Sequence, residues 1–440
     1  MANAEQSAPA DRPGRSDLSG VAGIVADPDS GDDRYIVISA DCHGGADIGA
    51  YRPYLEAGYR DDFDAWAATF ANPYDDLKGG DGGRNWDSHR RVAEMEADGV
   101  VAEVVFPNTI PPFFPKSSLV YQPPSSTAGD LDRRWAGLRA HNRWLADFCA
   151  AVPGRRAGIA QIMLHDVDAA VAEIRWAATA GLTGGILLPG CPPGSGLPPL
   201  YAPDYEPIWT TCAELGLPIN THSGSSAPDY GDYPESSVMF LLEVTWWAHR
   251  VLWHLLFGGV LERHPDLQLV FTEQGTEWVP AELAKLDHYH ARMGAMTGSQ
   301  EERFGAAVVA RLPLRPSQYF ARQCHLGSSF IRAHEVPLRH TVGVDKIMWG
   351  SDYPHLEGCW PWSAMELQLA FAGVEPAEVA AMVGANAAGV YGFDLAALAP
   401  VAARVGPRVQ DLAAPLSPDA IPDEALRCPA FALAKAAPRP

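Results

Sequence analysis

The chain has little positive charge. Its 33 Lys and Arg stand against 54 Asp and Glu, a formal net charge of -21 over 440 residues. Proteins that grip nucleic acid do so by displacing counterions from phosphates with basic side chains, so no nucleic-acid partner is expected. An acidic surface favours solubility and does not choose a fold. Cysteine is sparse and scattered, at positions 42, 149, 191, 212, 324, 359 and 428, with no Cys-x-x-Cys pair. This excludes the common zinc-ribbon and dithiol patterns and argues against a disulfide framework, so a reducing cytoplasm is the expected setting. Long apolar runs are missing too. The most apolar helical stretch, Trp246 to Leu261, is interrupted by His249, Arg250 and His254 and is too short to span a bilayer. The opening MANAEQSAPADRPGRSD has no apolar core of the secretory type. No membrane partner is expected.

What remains is an ordinary globular composition, 47% hydrophobic and 20% charged. Residues 1 to about 33 are rich in Ala, Pro, Gly, Ser and Asp and read as a disordered arm. Residues 398 to 440 are Ala/Pro-rich with few aromatics and read as a loosely packed tail. Between them, residues 34 to 397 alternate short β-branched runs with longer amphipathic segments, the pattern of β-α units around a parallel sheet. Eight runs read as strands: Tyr35 to Ala40, Val100 to Phe106, Arg156 to Leu164, Thr183 to Leu188, Leu217 to Thr221, Leu267 to Thr272, a weaker run near Tyr319 to His325, and Lys346 to Trp349. Helical segments between them include Asp87 to Asp98, Asp166 to Ala180 and Pro203 to Leu215, the last followed by Gly216 as a C-cap. Eight units predict a closed (β/α)8 barrel, a TIM barrel with long loops on its C-terminal face, where such folds build their active sites. Three long loops, at 107–130, 189–200 and 223–234, carry Phe113, Phe114, Tyr121, Tyr230 and Tyr233. Aromatic, proline-stiffened loops at that face suit an apolar substrate, though they also serve simply to pack on one another.

Four strand candidates end in polar residues. The first runs into Asp41-Cys42-His43, the fifth into His222, the sixth into Glu273 and the eighth into Asp352. Alternate residues of an extended chain share a face, so Asp41 and His43 point the same way. A strand-end Asp or His taken alone is most often a capping or hydrogen-bonding residue. Four such positions, gathered around one barrel mouth, supply two imidazoles and three carboxylates, a ligand set for a divalent metal.

Six stretches together make the chain similar to a known family: ISADCHGG at 38–45, RVAEMEADGVVAEVVFPN at 91–108, LPINTHSG at 217–224, GGVLERHPDLQLVFTEQGTEWVP at 258–280, VGVDKIMWGSDYPHLEG at 342–358 and GANAAGVYGFD at 384–394. From about residue 35 to 395 it resembles the amidohydrolase-related family, metal-dependent hydrolases of barrel fold whose members include aminocarboxymuconate semialdehyde decarboxylase. The resemblance implies that His43 and His222 bind metal and that Asp352 both binds metal and shuttles protons. Asp41 occupies the first position of what is often a His-x-His pair. Glu273 falls where several members carry a histidine. The run TGGILLPG has no lysine, so the carbamylated lysine of dinuclear relatives is absent.

These readings predict a metal-dependent hydrolase acting on an amide, ester, lactone or thioester of a small-molecule substrate. Asp41, His43, His222, Asp352 and Glu273 hold the metal, and Asp352 or Glu273 carries the proton. Zinc is the first expectation, with iron or manganese as alternatives. His325, Arg322, Phe113, Phe114 and Tyr230 are the expected substrate contacts, His355 the holder of the Asp352 loop, and a homodimer is left open. The alternative reaction is non-oxidative decarboxylation. Three carboxylates around one divalent ion leave a mouth of about -1, which opposes an anionic substrate unless Arg322 or Arg332 offsets it. A catalytically silent metal-binding scaffold is the third reading.

Overall fold

A computed structural model of the chain describes residues 20–70, 79–108, 111–114, 129–191 and 194–436. Among the described residues there are eleven strands: β1 (Ile24–Ala26), β2 (Asp33–Tyr35), β3 (Ile38–Gly44), β4 (Ala102–Pro107), β5 (Arg156–Gly158), β6 (Ala160–Gln161), β7 (Ile186–Leu187), β8 (Ile219–His222), β9 (Leu269–Thr272), β10 (Cys324–Ser329) and β11 (Ile347–Gly350). Helices separate successive strands from β4 to β11 except β5 and β6, which only Ile159 divides, and the ladders of β3 to β11 are all parallel. Three sequence-predicted helices form where their signals place them. Asp87 and Asp166 cap two of them by accepting backbone N–H bonds, and Gly216 ends the third with a left-handed φ of 63°.

The hydrogen-bonded ladders give two parallel sheets, β11-β10-β9-β8-β7-β6 and β3-β4-β5, rather than the single closed barrel expected. The break between β5 and β6 is one residue wide: Ile159 N–H donates to Val105 O at 3.0 Å, and Ala160 N–H to Gly185 O at 2.9 Å. At the other boundary β11 lies beside β3, and a single parallel bridge joins Cys42 to Tyr353. Strands of two to seven residues give ladders that lapse at both seams. The fold is mixed α/β with parallel sheets.

Side chains alternate across these sheets. Ile38, Ala40, Val104, Phe106, Val270 and Met348, drawn from both sheets, form one apolar cluster between them. Leu269, Phe271, Leu326, Ile347 and Trp349 point the other way and pack in the cluster that includes the helix residues Val279 and Leu286. Each large side chain buried there contributes about 1.5–3 kcal/mol.

Three expectations need correction. The seventh strand is Cys324–Ser329, and Tyr319 to Gln323 belongs to the helix Pro316–Gln323, whose entry is set by Pro316. Part of the N-terminal arm is ordered, since β1 and β2 pair antiparallel and Tyr35 N–H donates to Pro407 O at 3.0 Å. The C-terminal tail folds into the helices Leu395–Val405, Val409–Ala413 and Pro429–Ala436. Its Ile421, Ala425, Cys428, Ala430 and Phe431 are buried in the main core. An Ala/Pro-rich composition concealed enough apolar side chains at helical spacing to bury one face.

Candidate metal centre

Asp41, His43, His222 and Asp352 come together at the C-terminal ends of β3, β8 and β11, all buried. On β3 the pairing register shifts between Ser39 and Cys42, a bulge of the kind that re-aims side chains beside functional sites. His222 pairs with Thr272 and stands two residues beyond Asn220, which pairs with the inward-facing Val270. Asp352 follows Gly350 by two residues, just beyond the end of β11. Gly350 has to be glycine, because a Cβ there would lie 2.5 Å from the Asp41 Cβ. Glu273 and Asp352 both take left-handed backbone angles, φ 59° and 60°. Non-glycine residues seldom adopt that conformation, and it concentrates at functional sites. For Glu273 the kink has a clear effect. Thr272 faces inward, so an extended Glu273 would turn outward, yet its Oε2 lies 3.3 Å from His222 Nδ1.

One carboxylate oxygen anchors the cluster. Asp41 Oδ1 is 3.3 Å from both His43 Nε2 and His222 Nε2, and His43 Nε2 is also 3.3 Å from Asp352 Oδ1. Ser329 Oγ, at the end of β10, donates to Asp41 Oδ2. His355 Nδ1 lies 2.9 Å from Asp352 Oδ1, its ring stacks on His43 with centroids 4.0 Å apart, and its Nε2 meets Asn108 Oδ1 at 3.1 Å. His355 therefore holds the Asp352 loop, as its sequence position suggests.

The charges pull against burial. Burial alone would raise the Asp41 carboxyl, but His222 and His43 hold it well below the usual carboxylate range. Burial lowers His43, yet Asp352 and Asp41 outweigh it and raise the imidazole to about 9. Glu273 and Asp41 likewise raise His222 to about 9 against its own burial. Burial also pushes against an ionised Asp352, and His355 and His43 override it to lower that carboxyl. Glu273 goes the other way. Burial raises it to about 7, His222 opposing and Asp352 and Asp41 adding, although its side chain is 26% exposed.

A divalent cation fits these residues. Two trios, Asp41–His43–His222 and His43–Asp352–His355, each offer ligand atoms within 4.8 Å of one another. Both nitrogens of His43 and both carboxylate oxygens of Asp352 are buried without a well-aligned hydrogen bond. Buried polar atoms in that state are what an ion would satisfy, and mixed imidazole and carboxylate donors suit zinc, manganese or iron. Glu273 is not brought into either trio. It faces His222 Nδ1, which also lies 2.9 Å from Ser223 O, whereas His222 turns Nε2 toward Asp41. The sequence expectation groups Glu273 with the other four, whereas the structure sets it against the far nitrogen of His222, outside both trios.

The expected substrate contacts fare worse. His325 sits at the start of β10, four residues before Ser329, and its Nε2 meets Gln268 Oε1 at 2.7 Å. Misplacing the seventh strand moved it from the bottom of the sheet to the mouth. Arg322 lies on the preceding helix and donates to Leu261 O at 2.5 Å, so it too is at the wrong end. Arg332 follows β10 on the correct side, 3.3 Å from Glu335 and 3.6 Å from Glu277. Phe113 packs near Phe63 and Trp66, Phe114 lies under the Arg134 guanidinium, and the Tyr230 hydroxyl donates to Glu243 at 2.9 Å. These contacts are with one another's loops and helices rather than with the cluster. Tyr121 lies outside the described residues. The sequence reading missed Ser329, hidden by the misplaced strand, and Arg91, whose Nη1 donates to His43 O at 2.7 Å.

Residues 85–393 match the amidohydrolase family. The chain belongs to that family. Among curated relatives of this chain, the gamma-resorcylate decarboxylase of Rhodococcus jostii (strain RHA1) is 28% identical over 232 residues, 49% of this chain and 65% of the relative. The 2-amino-3-carboxymuconate-6-semialdehyde decarboxylase of Dictyostelium discoideum is 23% identical over 274 residues, 61% of this chain and 67% of the relative. The chain thus spans about two thirds of the length of these relatives. Among solved structures, the 5-carboxyvanillate decarboxylase of Novosphingobium aromaticivorans DSM 12444, complexed with manganese and 4-hydroxy-3-methoxy-5-nitrobenzoic acid, has a TM-score of 0.58 at 19% identity, covering 81% of this chain and 96% of that one. That likeness is one of fold.

These findings overturn hydrolysis as the first reading, since the relatives are decarboxylases. The charge argument behind it counted Glu273 among the ligands. With Glu273 outside the candidate trios, only Asp41 and Asp352 would face a cation held there, and a divalent charge would balance them. Zinc is likewise not singled out, because the neighbouring structure holds manganese. No helix among the described residues is long and apolar enough to cross a membrane.

Proposed function

We propose that this chain is a metal-dependent, non-oxidative decarboxylase of a small aromatic acid, with manganese as its cation. The observation that carries the reading is the buried cluster of Asp41, His43, His222 and Asp352, set in a chain whose curated relatives are decarboxylases. Asp41, His43, His222 and Asp352 would hold the cation. When bound, it supplies a positive charge that offsets anionic oxygens of a substrate.

The reaction needs one proton. It goes to the ring carbon that bears the carboxylate, the bond from that carbon to the carboxylate carbon breaks, its electron pair restores the aromatic ring, and carbon dioxide leaves. Asp352 would deliver the proton, with His355 Nδ1 2.9 Å from its Oδ1 to replenish it. His355 is partly exposed and touches Asn108, which gives the pair a route toward solvent. Glu273 would orient His222 through Nδ1, as carboxylates behind metal-binding imidazoles do. Arg332, on the same side of the sheet, replaces Arg322 as the candidate partner for a substrate carboxylate.

The test is a headspace assay on manganese-loaded protein offered 2,6-dihydroxybenzoate and 5-carboxyvanillate in deuterated water. Stoichiometric carbon dioxide is expected, with one deuterium at the former carboxyl position. Consumption of any substrate without carbon dioxide, or inertness towards a wide panel of hydroxybenzoates, would overturn the proposal.

A further inference from the structure

Behind His43 lies a group of charges that the proposed reaction leaves unused. Arg91, Glu103 and Arg156 are 0%, 1% and 5% exposed, and they form one buried ionic triad. Arg91 Nε lies 2.8 and 2.9 Å from the two Glu103 oxygens, and its Nη2 is 2.7 Å from Oε2. Arg156 Nε donates to Glu103 Oε1 at 2.9 Å, and its Nη1 donates to Ser88 Oγ and Phe148 O, both at 2.8 Å. A buried triad of this kind is a poor source of stability, because the desolvation of three charges offsets most of their attraction. It can still fix one geometry, and the contacts of Arg91 indicate which.

Only Arg91 reaches forward from the triad. Its Nη1 donates to the carbonyl of His43 at 2.7 Å and to that of Arg84 at 2.9 Å. The same guanidinium sits 4.7 Å from the ring centroid of Tyr353, the residue after Asp352. Tyr353 is tied back to β3, its carbonyl accepting from His43 N–H at 2.7 Å, while its hydroxyl donates to Glu94 at 2.5 Å. One side chain therefore touches the backbone that aims His43 and the residue next to Asp352. These are the two strand ends, from different sheets, whose ladders do not continue into one another.

We infer that Arg91 is the positioning residue of the metal centre, clamping the seam between β3 and β11 so that His43 and Asp352 converge, with Glu103 and Arg156 holding its guanidinium in place. The inference rests on reading the cluster as a metal site. A lysine at 91 keeps the charge but not the planar fork, so it cannot serve Glu103 and the His43 carbonyl together.

The experiment titrates manganese into metal-stripped full-length protein and reads the dissociation constant, with the thermal midpoint recorded alongside. Arg91→Lys should weaken manganese binding about 10- to 100-fold, the range usual for residues that orient metal ligands. Arg156→Lys, which disturbs the triad without touching His43 or Tyr353, should bind within about threefold of wild type even where its thermal midpoint falls as far. Glu103→Gln keeps the shape and loosens the fork, and should lie between them. If Arg91→Lys does not fold, Glu103→Gln against Arg156→Lys decides the matter by the same order. Wild-type affinity in Arg91→Lys, or equal losses in all three variants, would overturn the inference. A wild-type protein that takes up no manganese would overturn the metal reading with it, whereas failure of the carbon dioxide assay with manganese binding intact would touch the reaction alone.

Discussion

Replacing Asp41 by asparagine sets two effects against each other. The carboxylate is a ligand candidate, so its loss removes a negative charge from a divalent cation. At about 4 Å and an effective dielectric of about 20, that attraction is about 8 kcal/mol. The same carboxylate also holds protons on its neighbours, being 3.3 Å from both His43 and His222, whose imidazoles it helps to raise to about 9. A metal must displace those protons, and at pH 7.5 each costs about 2 kcal/mol. Asp41→Asn relieves at most about 4 kcal/mol of that competition, and less in practice, because Asp352 still faces His43 and Glu273 still faces His222. The lost attraction wins by roughly 4 kcal/mol, about a thousandfold in affinity. Manganese titration of metal-stripped wild type and Asp41→Asn at pH 7.5, followed by calorimetry or paramagnetic resonance of the free ion, measures the difference. Affinity equal to or tighter than wild type would show that Asp41 is a counter-ion for the imidazoles and not a ligand.

Two further outcomes follow from the same geometry. Asp352→Asn should abolish carbon dioxide release at matched metal content, while Glu273→Gln should retain a measurable rate; the reverse order, read from turnover with metal occupancy measured on the same samples, would move proton delivery to Glu273. Without metal, His43 and His222 have folded pKa values raised from 6.5 to about 9, so their contribution to stability is complete below about pH 6.5 and is lost as the pH rises through 9. Denaturant midpoints of metal-stripped protein should therefore fall between pH 6.5 and 9, and saturating manganese should remove or invert that slope; a flat profile in both states would refute the coupling.

The gathering of Asp41, His43, His222 and Asp352 was legible because it depends on local rules. Alternation along an extended chain puts Asp41 and His43 on one face, and a β-α pattern puts His222 and Asp352 at strand ends that share one side of the sheet. Neither statement needs a distant contact. The capped helices were legible for the same reason, since Asp87, Asp166 and Gly216 act within one turn of themselves.

What failed depended on partners far away in the chain. The run Tyr319 to Gln323 carries strand-like residues, but its start at Pro316 and its packing make it a helix, and the strand begins only at Cys324. That shift of a few residues carried His325 from the mouth to the opposite end and hid Ser329, whose hydroxyl meets Asp41 across 288 positions of sequence. Glu273 was placed by a left-handed kink that no composition announces, and the kink turned an expected ligand into the neighbour of His222 Nδ1. Arg91 drew no reading from the sequence, because only the fold encloses it with Glu103 behind His43. The sequence by itself determined the parallel α/β plan and the chemical types of the side chains gathered at the candidate metal centre, because periodicity and strand ends are properties of adjacent residues. Tertiary structure decided which nitrogen faces which carboxylate, which charges are buried, and where the two sheets are clamped, because those depend on distances that only the folded chain defines.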